Sequence, residues 1–384
     1  MKAFLHSLML LLFMINIANA QEKDQATSDQ LVEYYQAQRY NDALNYLRSA
    51  HPEPVTDMKV LSSMAYTSQM AGRLADAETY YLRIYDSDTT NTRVLFSLGN
   101  INMRKGNNLK ARGYFTRLLQ KDSTNFIVFK DMAQISLDDG DSKITMGFLG
   151  KANKLQPTDA DVAGQLSGFY IEAKKFAQAE SVLNAAITAD AENIYLIQSL
   201  VKLEYAQHKW NEVVTNGEAL FQLGDNSAYI RNKVGEAYYY LKNYNCGIET
   251  LSAIQSVFQT EGTFYFIASC YKELKNQVKA IEYFNKAIDA GISPNINNYY
   301  SEIADSYSTL KKDKKALLAY QKALQFEEKP LTIYAVASLY DGALKDRKNA
   351  LKYYRKYLSA KPPEIQRGYV IYAQSRITAL NSRR

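Results

Sequence analysis

Residues 264–287 read FYFIASCYKELKNQVKAIEYFNKA. Phe264, Ile267, Ala268 and Tyr271 recur at intervals of three and four, which places them on one face of a helix. Ala280, Phe284 and Ala287 do the same further along, beyond the polar stretch Lys272–Lys279. Small residues sit on both faces because two helices touch there, and a larger substituent at Cβ would push them apart. The stretch therefore predicts two antiparallel helices of about a dozen residues joined by a short turn.

The same pattern runs along the chain. Ala43, Ala77, Ala111, Thr145, Ala179, Val213 and Gly247 follow one another at intervals of 34, and Ala280, Ala316 and Ala350 continue at 33, 36 and 34. Four residues later stands a large side chain in nine of the ten copies: Leu47, Tyr81, Phe115, Leu149, Leu183, Leu251, Phe284, Tyr320 and Tyr354, with Gly217 the exception. Twelve residues before the small position another small residue recurs, at Ala65, Gly99, Ala133, Ser167, Gly235, Ala268 and Ala304. Segments such as DSDTTN (86–91), KDSTN (121–125) and QPTD (156–159) separate the copies. Their Ser, Thr, Asp and Asn side chains suit the free N–H groups that open the next helix. Ala71-Gly72-Arg73 and Lys105-Gly106-Asn107 supply the turns within a copy.

This arrangement resembles the tetratricopeptide repeat. Phe264-x-x-Ile267-Ala268-x-x-Tyr271 with Ala280-x-x-x-Phe284-x-x-Ala287 matches its pattern, and so does Tyr300-x-x-Ile303-Ala304-x-x-Tyr307 with Ala316-x-x-x-Tyr320-x-x-Ala323. Leu95-x-x-Leu98-Gly99 with Ala111-x-x-x-Phe115 is a third copy of the same kind. The resemblance covers roughly residues 24–362 and implies an all-α fold, an α-solenoid wound as a right-handed superhelix of about ten helix-turn-helix units. Departures fall at the sixth copy, with Val201, Val213 and Gly217, and at the longer junction AGISPNINN. Weak joints are expected near 213–227 and 290–298. Pro closes a unit cleanly only at Pro157 and Pro362. Residues 363–384 are expected to cap the array with a helix that turns Ile365, Tyr369, Tyr372, Ile377 and Leu380 inward and is polar outside.

At the other end, MKAFLHSLMLLLFMINIANA (1–20) has a basic Lys2, an apolar run too short for a bilayer span, and small residues before Gln21. It reads as a signal peptide, followed by a short linker over 21–27 and the array over 28–362. No cysteine lies near the cleavage point, so a lipid anchor is disfavoured and a periplasmic or secreted protein is expected. Charge is uneven: residues 310–384 hold 17 Lys and Arg against 6 Asp and Glu. That basic end is compatible with peripheral contact at an anionic surface, although solvated outer faces of helices are the favoured reading. Nucleic acid is not an expected partner.

No catalytic constellation appears. Outside the leader the histidines are His51 and His208, neither in a metal-ligand spacing, and no nucleophile, metalloprotease or phosphate-loop motif occurs. Asp138, Asp139 and Asp141 around Gly140 have part of a calcium-loop pattern without its distal Glu, and read as a solvated turn. No enzyme activity, cofactor or metal is predicted. Cys246 and Cys270 allow one bridge or two buried thiols. Trp210, opening a second helix, reads as packing.

In the resembled family the first helices line the concave face. Carried onto this sequence, that places Lys59, Tyr66, Gln69, Arg93, Phe96, Asn100, Arg104, Lys130 and Gln134 in the early groove. In the middle it places Tyr195, Lys202, Tyr205, Tyr229, Asn232, Glu236, Tyr239, Tyr240, Tyr265 and Lys272. The family's Lys and Asn carboxylate clamp is not reproduced by Phe96/Asn100 with Lys130/Gln134. Six tyrosines over three neighbouring units exceed what solvated groove positions require, although a chain with 31 tyrosines shares that bias throughout. Within GEAYYYLKNY (235–244), Tyr238 falls at a packing position, Tyr239 and Tyr240 on the groove side, and Tyr244 in the turn. Two functions follow: a scaffold that holds an extended peptide or helix of an envelope protein in its groove, or a glycan reader that stacks sugars on tyrosine.

Overall fold

The computed structural model describes residues 29–291 and 294–382, so the leader over 1–20 and the linker over 21–27 lie outside the described residues. Among the described residues there is no β-strand, and the helices form ten consecutive pairs followed by one more helix. The chain divides into two compact units, residues 1–169 and 170–384. The first holds residues 29–36 with Tyr40–Ala50, then Met58–Met70 with Leu74–Ser87, Thr92–Arg104 with Asn108–Lys121, and Phe126–Asp138 with Ser142–Leu155. The division falls in the helix Ala160–Glu172, whose successor is Phe176–Ala189. The second unit continues with Ile194–Ala206 and Trp210–Gln222, Ala228–Tyr240 and Tyr244–Ser252, and Glu261–Glu273 and Gln277–Asp289. It ends with Ile296–Thr309 and Asp313–Phe326, Pro330–Gly342 and Arg347–Ser359, and the terminal helix Arg367–Ser382.

Local chemistry sets these boundaries. Asp57, Asn91, Asn125, Asp159, Asn193 and Ser227 recur every 34 residues, and each side chain accepts from the backbone N–H three residues on, satisfying a donor that opens a first helix. Each pair turns back through one left-handed residue placed five before the small position: Gln38, Gly72, Gly106, Gly140, Lys174, His208, Lys242, Lys275, Lys311 and Lys345, with φ between 56° and 78°. The turn closes on the preceding helix, as where the Lys242 N–H donates to the Tyr239 carbonyl and the Asn243 N–H to that of Tyr238.

The small residues are needed where expected. All ten of the second-helix series are buried. A Cβ on Gly99 would stand 2.4 Å from the Phe115 ring, and one on Gly235 would stand 2.4 Å from Leu251. The small residue of one helix thus receives the large residue of its partner. At the degenerate sixth copy the contact changes partners: a Cβ on Gly217 would lie 2.1 Å from Val234. Here the second helix approaches the next first helix closely, and Leu220, Ile230 and Val234 close a core around it.

Two irregularities stand out. The second helix of the seventh pair is cut to Tyr244–Ser252, and a 3-10 turn at Ser256–Phe258 follows it. The terminal helix buries Ala373 and Leu380 against Ile333, Ala350, Tyr354 and Tyr357, with Val370 and Ile377 at the margin. It departs from the expected outline at Ile365, which is 91% exposed, and at half-exposed Tyr369 and Tyr372. The reason is the 3-10 turn Glu364–Gln366, which breaks helical register before Arg367 and leaves Ile365 off the packed face. Both cysteine thiols are free, and Cys270 is buried with its thiol pushed up to about 12 by desolvation.

Candidate functional site

The second unit gathers seven of its aromatic side chains into one connected ribbon. Tyr240, at the end of the helix Ala228–Tyr240, stacks on Trp210 with ring centres 4.5 Å apart and planes 12° from parallel. Tyr239 meets Tyr240 edge-on at 5.4 Å, and both meet Phe266 of the next first helix, at 5.6 and 6.3 Å. Phe266 continues to Tyr265 at 5.2 Å, and Tyr265 to Tyr299 at 5.5 Å. At the other end Tyr205 packs edge-on against Trp210 at 5.5 Å. Edge-to-face and offset contacts at these spacings are the favoured geometries for aromatic pairs. The result is a ribbon of seven rings across four helix pairs, held on helices rather than loops.

Polar groups thread this ribbon. The Lys233 ammonium lies 3.7 Å from the centre of the Tyr205 ring and 4.9 Å from that of Tyr229. Burial pulls its pKa down, while burial also pushes the Glu236 carboxyl up. The Tyr205 hydroxyl donates to Glu236, so burial and that carboxylate together hold the phenol protonated. Tyr239 is raised to about 12, chiefly by burial. Thr263 Oγ1 donates to Asn232 Oδ1 at 2.7 Å, tying the seventh pair to the eighth. Lys272 pairs with Glu302 and lies 3.5 Å from Asp305.

None of the residues assigned to the groove from sequence is buried. Those of the middle copies come together. Tyr205 and Glu236 share a hydrogen bond, Tyr239 and Tyr240 touch, and Tyr229 flanks Lys233. Tyr240 is 47% exposed and Tyr229 49%, so each keeps free ring surface. Tyr195 is exposed to a similar degree, and Lys202 stands 4.0 Å from Glu172 at the margin. In the first unit the residues are more dispersed. Lys130 pairs with Asp159 at 3.2 Å and Asp161 at 3.3 Å, and Gln134 donates to Asp138 at 2.7 Å. Phe96 leans on Phe115 at 6.3 Å, Arg93 is exposed and Asn100 is half-buried. Of the acidic turn, Asp141 accepts from the Ile144 N–H and Asp139 pairs with Arg112, so both carboxylates already have partners. Open cavities occur elsewhere, of about 380 Å³ beside Phe129 and Lys154 and about 460 Å³ beside Tyr334 and Tyr369, and neither includes a predicted groove residue.

Lys233, Phe266 and Glu302 were not singled out by the sequence. They share one register position, two residues before the small residue of the first helix. Lys233 lies four residues after Tyr229 and seven before Tyr240, on the same helical stripe, and that i, i+4 relation is the signal that finds it. Trp210 packs, as read, and also backs Tyr240.

A family model for the tetratricopeptide repeat matches residues 262–290 and 332–364. Those matches are the eighth and tenth helix pairs, and the same turns, caps and small–large contacts recur in the other copies. The chain is a tetratricopeptide repeat protein. No curated protein sequence matches it. Among solved structures it is similar to a tetratricopeptide repeat protein from Parabacteroides merdae, with 14% identity, 65% of this chain and 98% of that chain covered, and a TM-score of 0.44. It is also similar to Pseudomonas aeruginosa PilF, with 18% identity, coverage of 56% and 97%, and a TM-score of 0.45. YrrB, described as a tetratricopeptide repeat protein with an unusual peptide-binding site, shows 14% identity, coverage of 49% and 96%, and a TM-score of 0.44.

Proposed function

We propose that this repeat protein is a non-enzymatic, exported scaffold that binds an extended peptide or helix of a protein partner along the first-helix face of its second unit. Repeat arrays of this family serve protein–protein interaction, which supports the general class. The observation that carries the specific reading is the aromatic ribbon from Tyr205 to buried Tyr299, which includes half-exposed Tyr240 and has half-exposed Tyr229 beside it. Tyrosine offers large contact area with few rotatable bonds, and here stacking already orders the rings, so little entropy remains to be lost on binding. Lys233, Glu236 and Lys272 supply polar points between the rings. A glycan reader is less well supported, because the single tryptophan lies against Tyr205, His208 and Tyr240.

The test expresses the chain with residues 1–20 and recovers it from the extracytoplasmic fraction. An N-terminus at Gln21 supports export, and one at Met1 contradicts it. The recovered protein is then compared with a Tyr239→Ala, Tyr240→Ala variant and a Tyr229→Ala variant for retention of its bound protein. Losses of roughly tenfold or more in affinity are expected for the double variant, at about 1–2 kcal/mol per buried aromatic anchor. Undiminished retention by both variants would place the partner elsewhere.

A further inference from the structure

The alternation of the helices puts every turn within a pair on one edge of the second unit and every connection between pairs on the opposite edge. The two edges differ in charge. The six within-pair turns, taken as residues 172–178, 206–212, 240–246, 273–279, 309–315 and 343–349, hold thirteen Lys and Arg against five Asp and Glu. The connections between pairs, residues 190–193, 223–227, 253–260, 290–291 with 294–295, 327–329 and 360–366, hold two against six. At the basic edge a short motif repeats in four successive turns: Leu241-Lys242, Leu274-Lys275, Leu310-Lys311 and Leu344-Lys345. Each of those lysines is the left-handed turn residue, with φ from 57° to 64°. Three turns of the first unit use glycine at this point, which adopts that conformation without the crowding a Cβ brings. The later turns therefore carry a charge where the backbone favours none. All four lysines are exposed, as are Lys312, Lys314 and Lys348 beside them, and among the described residues none of the seven is in a salt bridge, although Lys345 and Lys348 feel the nearby Asp341 and Asp346.

We infer that this edge is a docking surface for an anionic lipid bilayer. A row of unpaired ammonium groups on consecutive turns faces outward along one edge, which suits a planar array of phosphate headgroups. Exposed Leu274 and Val278 stand among the lysines, where apolar side chains reach the headgroup boundary; a nucleic-acid surface gives them no such role. The acidic opposite edge would be repelled, so attraction selects one orientation. No described helix is long and apolar enough to cross a membrane, so contact at this edge is peripheral. Trp210 and Tyr240 of the aromatic ribbon lie at this edge, so docking here bears on that end of the ribbon, while Tyr229 stands at the opposite end of its helix.

The chain lacking residues 1–20 is sedimented with vesicles of mixed phosphatidylglycerol and phosphatidylcholine, with pure phosphatidylcholine as reference. Binding to the anionic vesicles alone, released by salt, is expected. The variant Lys242→Gly, Lys275→Gly, Lys311→Gly, Lys345→Gly places the residue best suited to each left-handed turn, so its fold is preserved. Its vesicle affinity falls by about fivefold for each charge removed, roughly six hundredfold in all. A charge-matched variant away from the edge, Lys322→Gln, Lys352→Gln, Arg355→Gln, Lys361→Gln, keeps most of the binding. Equal losses in the two variants, no preference for anionic vesicles, or equal retention on double-stranded DNA would each overturn the inference.

Discussion

Glu204 stands where neighbouring first helices carry tyrosine, at Tyr170, Tyr238, Tyr271, Tyr307 and Tyr340. It is 6% exposed, accepts from Asn216 Nδ2 at 2.7 Å through one oxygen, and leaves the other without a partner. Desolvation raises its pKa from 4.5 to about 7. The sign follows directly. Between those values the folded chain holds a proton that the unfolded chain has released, so stability falls as pH rises through that window. Replacing it by Gln removes this dependence and raises stability at pH 8 by about 1–3 kcal/mol, with little gain near pH 4. Thermal melts of wild type and Glu204→Gln across that range check it, and a constant difference between the two would show the carboxyl is not titrating. The sequence marked this copy as degenerate, but it could not show what the loss of tyrosine would bury. The same limit applies at Lys233, whose role depends on two rings brought from different helices.

Helices and turns were far more legible, because their determinants are local. Caps at Asp57, Asn91, Asn125, Asn193 and Ser227, and small–large pairs such as Gly99 with Phe115, act within one copy or between adjacent helices. The shortened helix Tyr244–Ser252 and the 3-10 turn before Arg367 were not legible, since a break of one turn leaves the 34-residue spacing almost unchanged. The terminal helix also depends on a contact that pattern does not reveal. Arg376 grips Asp341 with two hydrogen bonds, Nε to Oδ2 at 2.7 Å and Nη2 to Oδ1 at 2.8 Å, and holds that carboxyl below its usual range. The Asp341 side chain is only 8% exposed, so losing the guanidinium leaves its carboxylate with one weak hydrogen bond, from the Tyr354 hydroxyl at 3.3 Å. Arg376→Ala should cost about 1–3 kcal/mol and expose the amides around Ala373 and Leu380 to hydrogen exchange before the rest of the unit. Exchange in that helix at the wild-type rate would mean apolar packing alone holds it.

For the whole molecule, a repeat array spreads its stability over neighbouring contacts, which frees its surface for other roles. In the second unit two surfaces depart from what packing requires. The first-helix face carries a connected aromatic ribbon, and the within-pair edge carries unpaired lysines. The tyrosines were visible in the sequence one by one. Their continuity was not, because Phe266 and Trp210 bridge copies at positions that no single copy's pattern marks as facing the same side. The central claim is that this aromatic face holds a protein partner. The most direct measurement places a photo-crosslinking amino acid at Tyr240 and, separately, at Leu318, which is 63% exposed on a second helix. Irradiation of cells producing each form should yield a protein adduct from position 240 that position 318 does not give. An adduct from 318 alone, equal adducts from both, or none from 240 would contradict the account.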